Sequence, residues 1–161
     1  MAASTTTGWK LFIGPVRTAA TDTEAEFAAL TPYVEIGEIN NLSEIGDESA
    51  AVAVSNVGMG RNRTLKGART AAVQNLVVNR DPLDEGQIAL MAAEKTKFEY
   101  AFKLVAADAP DEDHVDSVFY YSALVMSNRT QLNGNDAVTM RAFNLAIQTE
   151  IFEVEAAVVT P

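Results

Sequence analysis

Apolar and polar residues alternate along most of this chain, and such alternation is typical of β-strands with one buried face. The clearest example is segment 97–104, KFEYAFKL, in which every second residue is aromatic or aliphatic. Further patterns predict strands at 9–13, 32–42 with a kink at Gly37, 49–57, 71–80, 117–127 and 136–152, and a last strand or extended tail at 153–161. Asn133-Gly134 is a hairpin turn signal between two of these strands. The pattern therefore predicts an antiparallel all-β protein, a sandwich or a barrel.

One segment departs from this alternation and predicts a short helix over 83–94. Asp81 can cap its N-terminus, Pro82 suits the first helical position, and Asp84 favours the helix dipole. The residues that we expect on its apolar side are Leu83, Ile88, Leu90 and Met91. A second segment, 21–30, is compatible with one or two helical turns capped by Thr21 or Asp22.

Length and charge narrow the class of protein. A chain of 161 residues is long enough for a single domain with its own core. The net charge of −10 argues against a protein that grips nucleic acid, because that grip comes from neutralised phosphates. There is no cysteine for a disulfide or a thiolate metal site, and no apolar run long enough for a membrane anchor. The first residues do not resemble a secretory signal.

The sequence predicts no catalytic, cofactor-binding or metal-binding residues. His114 is the only histidine, and it lies in an acidic loop without a serine nucleophile motif. That acidic loop, which contains Asp108, Asp111, Glu112, Asp113 and Asp116, lacks the regular Asp spacing and turn glycine of an EF-hand. We therefore interpret it as a solvated acidic surface and expect no cofactor.

A basic segment stands out against this acidic background. Residues 58–70 predict a long loop or a loose hairpin, and it contains Arg61, Arg63, Lys66 and Arg69. Two interpretations stay open: a flexible solvated loop, or a surface that binds an acidic partner. The chain itself supplies such an acidic surface at 108–116.

In the order of its elements the chain resembles the tail tube proteins, also called major tail proteins, of long-tailed bacteriophages. The resemblance runs from about residue 8 to residue 151. It is carried by four segments in order, YVEIGEINNLSEIGD, RNRTLKGART, VVNRDPLDEGQIALMAAEKTKFEYAFKL, and FYYSALVMSNRTQLNGNDAVTMRAFNLAIQTEI. The third is the most similar, with its DP-D-GQ-AL helix start followed by a strand ending in YAFK.

The resemblance implies a β-sandwich whose outer sheet is covered by the helix with Leu83, Ile88, Leu90 and Met91. It implies that six copies pool strands into an inner β-barrel and that rings stack into a tube with a largely acidic lumen. The implied partners are further copies of the chain, tail terminator and distal tail proteins, and, without specific binding, the tape-measure protein and passing DNA. The implied location is the virion tail, assembled in the host cytoplasm.

Within that expectation, residues 1–8 and roughly 150–161 are predicted to be extended arms. Rings that stack without closing need two different patches that fit each other. We therefore expect an inter-ring contact between the basic residues Arg61, Arg63, Lys66 and Arg69 and the acidic loop 108–116. The alternative from another class is a β-sandwich module that binds a carbohydrate or a protein.

Overall fold

The computed structural model describes residues 3–17 and 23–156. The strands of this part are β1 (Lys10–Val16), β2 (Val34–Ile36), β3 (Ile39–Asn41), β4 (Asp47–Val54), β5 (Arg63–Ala71), β6 (Val73–Asn79), β7 (Tyr100–Val105), β8 (Val118–Gln131), β9 (Met140–Ile147) and β10 (Phe152–Val154). The helices are α1 (Glu24–Ala29) and α2 (Glu85–Glu94). The predicted fold class is confirmed, because the chain is mainly antiparallel β-structure.

Eight strands form one antiparallel sheet. Seven of them follow the order β2-β1-β7-β8-β9-β6-β3, and the eighth, β10, pairs with the first residues of β8. The end strands β2 and β3 are separated in sequence by only Gly37 and Glu38. Because so short a link joins the two ends of the sheet, the sheet must curl around its core. The predicted kink at Gly37 is thus the corner at which the chain passes from one end of the sheet to the other, and Glu38 there has a positive φ of 58°.

The main core fills the concave side of this sheet. Its fully buried side chains include Leu11, Phe102 and Phe143, and Phe102 stacks on Tyr121 at a ring-centroid distance of 5.8 Å. One polar side chain is buried among them: Gln74 accepts a 2.6 Å hydrogen bond from the Tyr121 hydroxyl. This bond satisfies both polar groups, which would be costly to bury alone.

Helix α2 closes the concave side, but it begins later than the sequence predicts. Asp84 is the N-cap and accepts a hydrogen bond from the Gln87 backbone N–H, whereas Asp81 only accepts from Leu83 N in the preceding turn. The predicted start at residue 83 is therefore wrong. Leu83 precedes the helix and is 86% exposed.

The predicted apolar side of this helix is also partly wrong. Ile88 is 46% exposed, while Leu90 is fully buried and Met91 packs at the edge of the core. The buried side consists of Gly86, Gln87, Leu90 and Ala93. Small and polar residues occupy it because the first turn lies directly on the backbone of β2: a Cβ on Gly86 would stand 2.3 Å from the Glu35 carbonyl oxygen.

The α2 N-terminus fixes the sheet corner through two side chains. The Asp84 carboxylate accepts a 3.1 Å hydrogen bond from Gly37 N. The buried Gln87 side chain donates to the Asn79 and Gly37 carbonyls and accepts from Asp81 N. The DP-D-GQ-AL segment of the resemblance is therefore the part of the chain that joins β2, β3 and β6 at one point.

Helix α1 lies on the opposite, convex side of the sheet. The described part of the structure thus has two short helices, whereas the predicted fold has one. The N-cap of α1 is Thr23, which forms a capping box with Glu26; the predicted caps Thr21 and Asp22 lie outside the described residues. Phe27 is fully buried in a small cluster with Ala101 and Tyr120. The helical turns predicted at 21–30 are thus confirmed for 24–29.

Candidate assembly surfaces

Strands β4 and β5 form a hairpin separate from the main sheet, and we call residues 47–71 the arm. The prediction of a loop over 58–70 is wrong for most of that range, because β5 begins at Arg63; the alternative of a hairpin is confirmed. A register shift lies between Ser49 and Ala51. Opposite it, Gly67 comes so close to β4 that a Cβ would stand 3.1 Å from the Ala50 carbonyl oxygen.

One face of the arm is apolar and uncovered. Val52 is directly opposite Leu65, and Val54 follows two residues along β4 on the same face. These side chains are 47%, 50% and 40% exposed, respectively. A two-stranded hairpin is only marginally stable in water, and exposed aliphatic side chains on it favour association. The arm is therefore a candidate contact surface.

The arm also carries the predicted basic residues. Arg61 lies in its turn, and Arg63, Lys66 and Arg69 lie on β5 and are exposed. Arg69 is at the base of the arm, where its guanidinium binds the Asp47 carboxylate at 2.7 Å. Residues 49–68 contain no acidic residue, so the outer part of the arm is purely basic in a chain of net charge −10.

The acidic loop is held in shape by some of its own carboxylates. Asp108 accepts hydrogen bonds from the backbone and hydroxyl of Ser117, and Asp116 accepts from the backbone at 108 and 109. Asp111 accepts from His114 at 2.5 Å, and this hydrogen bond lowers the pKa of Asp111. Among the described residues, the Glu112 and Asp113 carboxylates have no hydrogen-bond or ion-pair partner. Those two are free to meet a cationic partner.

The structure does not join the two predicted patches within one chain. In the described part of the chain, no ion pair links the arm to loop 108–116. Their proposed contact therefore requires two copies.

A second candidate surface is the open edge of β8. This strand pairs with β7 only as far as Ala123 and with β9 from there to Gln131. From Leu124 onward, no strand within residues 3–17 and 23–156 pairs with the side of β8 that faces away from β9. An unpaired strand edge is a template for pairing with another chain.

The direction of the backbone groups on this edge follows from the neighbouring strands. Arg80 N donates to the carbonyl of Thr139, the residue just before β9. Because backbone groups alternate in direction along a strand, residues 141, 143 and 145 of β9 bond toward β6. Residues 140, 142, 144 and 146 therefore bond toward β8. Arg129 is the partner of Ala142. The N–H of Thr130, the next residue, therefore points to the open side.

One cleft of the described chain adjoins the arm. An open cleft of about 440 Å³ lies at the base of the arm between Asp47, Arg69 and the segment 147–150. Within the described ranges, no cluster of histidine and carboxylate side chains is arranged to hold a metal. No helix of this part is long and apolar enough to cross a membrane.

Two features of these surfaces were not predicted from the sequence. The apolar face of the arm was missed because the register shift sets which β5 residue pairs with Val52. The open edge of β8 was missed because it depends on where β7 begins. Since β7 begins at Tyr100, it pairs with β8 only up to Ala123 and leaves the rest of that side of β8 unpaired. A signal was present for the arm: Val52 and Val54 alternate with alanines in a segment without charge.

Comparison with solved structures reveals the same fold in three assemblies. A chain of the anti-feeding prophage (AFP) baseplate, determined by cryo-EM with six-fold symmetrisation, is 10% identical, with a TM-score of 0.70 over 96% of this chain and 98% of that one. The SPP1 tail tube is 14% identical, with a TM-score of 0.61 over 94% of this chain and 78% of that one. The PVC sheath/tube terminator of an extracellular contractile injection system is 10% identical, with a TM-score of 0.62 over 96% and 98%.

None of these descriptions names an enzyme. No protein-family model matches the sequence, and no curated protein matches it. The likeness to the three solved structures is therefore one of fold, at sequence identities of only 10% to 14%. This chain has the tail tube fold that its sequence resemblance indicated.

Proposed function

We propose that this protein is the structural subunit of a phage-type tail tube, in which six copies form a ring and rings stack into a conduit for DNA and the tape-measure protein. The observation that supports it best is the open edge of β8 in a chain with the tail tube fold. An all-β monomer normally blunts or covers such an edge, whereas edge-to-edge pairing of identical copies uses it. Tail terminator and distal tail proteins would bind the two ends, and the tube would reside in the virion tail.

The alternative of a carbohydrate- or protein-binding module has less support. Such a site needs several exposed aromatic or apolar side chains gathered in one patch. Among the described residues, Phe98 is the one exposed aromatic side chain. The uncovered apolar residues of the arm are aliphatic and lie on a hairpin, which favours a contact between copies.

Assembly of the purified protein tests this proposal. Concentrating it in low salt without added metal or cofactor should yield hollow tubes of stacked six-fold rings in negative-stain electron microscopy. A monomer at every concentration, with rings absent from sedimentation profiles, would contradict the proposed function. Glycan binding by that monomer would favour the alternative module.

Ring stacking, as we propose, uses the basic arm of one copy and the acidic loop of a copy in the next ring. Each exposed ion pair contributes only ~0.2–1 kcal/mol, but a ring repeats each contact by symmetry. We expect Arg61→Glu with Arg63→Glu to stop elongation at single rings and leave the monomer folded. We also expect wild-type elongation to weaken with salt, because charges are screened over ~10 Å at 0.1 M.

Two further variants make that stacking test specific. Glu112 and Asp113 have the two free carboxylates. Adding Glu112→Lys and Asp113→Lys to the variant with Arg61→Glu and Arg63→Glu should restore part of the elongation. Lys95→Glu with Lys97→Glu, an equal charge change at exposed residues after α2, should elongate normally. Elongation is followed by light scattering. If the variant with both charge patches reversed does not elongate, the arm and the acidic loop are not partners.

A further inference from the structure

The turn between β8 and β9 contains Asn133, the one asparagine of the sequence that precedes a glycine. Strand β8 ends at Gln131 and β9 begins at Met140, so the pair lies outside both strands. Residues 132–138 are all exposed. Solvent therefore has access to the backbone and side chains of this turn in the folded protein.

The backbone of the turn leaves the groups of Asn133 and Gly134 accessible to each other. Within the described residues, no hydrogen bond engages the Gly134 N–H, whereas the Gly134 carbonyl accepts one from Ala137 N at 3.0 Å. The Asn133 amide nitrogen donates a long hydrogen bond of 3.3 Å to the Val138 carbonyl. A Cβ on Gly134 would meet no atom within 4 Å, so the surroundings of its backbone are open.

We propose that Asn133 and Gly134 form a self-modification site, at which the Asn133 amide is converted to a carboxylate without an enzyme. The Gly134 nitrogen loses its proton to solvent and attacks Asn133 Cγ. The bond from Cγ to Nδ2 breaks, the leaving nitrogen takes up a proton, and ammonia departs from a five-membered succinimide ring. Water then adds to either carbonyl of the ring and opens it to aspartate or isoaspartate, so the reaction needs no oxidant or reductant.

Glycine favours this reaction because it has no Cβ beside the attacking nitrogen and adopts many backbone conformations. Every other asparagine of the sequence precedes a residue that has a side chain. Asn56 in the turn of the arm precedes the β-branched Val57, and its Oδ1 already accepts a backbone hydrogen bond. Asn135, in the same turn as Asn133, precedes Asp136. Asn133 therefore converts before the others.

Conversion changes the charge and the covalent path of the turn. Each converted copy gains one negative charge in a turn that already contains Asp136. The isoaspartyl form also adds a methylene to the main chain just after the open edge of β8. Because the converted fraction rises with time, the turn records the age of each copy. The reaction needs only an exposed turn, so this inference does not rest on the proposed function.

Peptide mapping of the aged protein tests the site. The purified full chain is incubated, folded, in mildly alkaline buffer and digested with trypsin, which isolates Asn133 in the peptide 130–141. This peptide should gain the mass difference between an amide and a carboxylic acid and separate into aspartyl and isoaspartyl forms. The peptide 70–80, which contains Asn75 and Asn79 of β6, is the internal control and should stay unchanged.

Three variants identify the reacting groups. Gly134→Ala should slow the conversion at least about tenfold, because a Cβ then stands beside the attacking nitrogen. This variant should stay folded, since that Cβ meets no atom within 4 Å and the φ of Gly134 is not positive. Asn133→Gln should abolish the conversion, and Asn135→Gln should leave its rate unchanged. An isoaspartyl methyltransferase with a labelled methyl donor should label the aged wild type but not aged Asn133→Gln.

A synthetic peptide of residues 130–141 sets the time scale. If Asn133 stays intact in the folded protein after the peptide has converted, the fold protects the turn and the inference is overturned. Equal rates in Gly134→Ala and the wild type would show that the Gly134 nitrogen is not the attacking group. Conversion mapped to Asn135 instead would place the site elsewhere. Each of these results overturns this inference and leaves the proposed function unaffected.

Discussion

Gly86→Ala should lower the free energy of unfolding of the monomer by about 3 kcal/mol, at the upper end of what overpacking costs. The new Cβ would lie 2.3 Å from the Glu35 carbonyl oxygen and 2.5 Å from the Ile36 Cα. Both are backbone atoms, so no rotamer change can make room. Alanine usually stabilises a helix relative to glycine by about 1 kcal/mol, so the expected sign is the reverse of helix propensity.

The damage should extend beyond the contact itself. To admit the methyl group, α2 must move away from β2, which lengthens the hydrogen bonds of Asp84 and Gln87 to Gly37. Thermal or urea unfolding of the monomer measures the loss. Gly134→Ala is the matched control, because a Cβ there meets no atom within 4 Å. Equal stability of the two variants would mean that α2 does not lie on β2 as described.

Thr130→Pro should strongly weaken tube formation while leaving the monomer folded. The Thr130 N–H points to the open edge of β8, so proline removes a donor that β9 does not use, and its ring obstructs an incoming strand. Each hydrogen bond is worth about 1 kcal/mol, and steric exclusion adds to its loss, so we expect the concentration needed for assembly to rise at least about tenfold. Sedimentation velocity and electron microscopy measure this directly.

Two control variants distinguish the loss of the donor on the open edge from damage to the β8–β9 pairing. Thr130→Val keeps the backbone donor and should assemble like the wild type. Arg129→Pro removes an N–H that bonds to β9, so it should destabilise the monomer rather than only its assembly. Normal tubes from Thr130→Pro would show that β8 is not the joining edge.

Local patterns predicted those parts of the fold whose cause is local. Strand β7 was predicted because Phe102 and Leu104 alternate with polar residues, and the corner at Gly37 because glycine interrupts such a pattern. The start of α2 was misplaced because both Asp81 and Asp84 have the side chain of an N-cap. Asp84 caps the helix and also accepts a tertiary hydrogen bond from Gly37 N, and a linear pattern does not contain that partner.

The candidate surfaces were predicted as charges rather than as shapes. The clusters of Arg61 with Arg63 and of Glu112 with Asp113 could be recognised from composition. Their roles differ within each cluster, because Arg69 already binds Asp47 and Asp108 already binds Ser117. Which charges remain free depends on register and loop geometry, and these are set by long-range pairing.

The separation of basic arm and acidic loop has a consequence for growth. If rings stack head to tail through these two surfaces, as proposed, the filament has chemically different ends, one that presents a ring of arginines and one that presents carboxylates. Subunits then add to the two ends at different rates, as in any polar polymer. A capping protein that recognises one charge pattern binds one end alone, so initiation and length control can be assigned to different proteins without any change in the subunit.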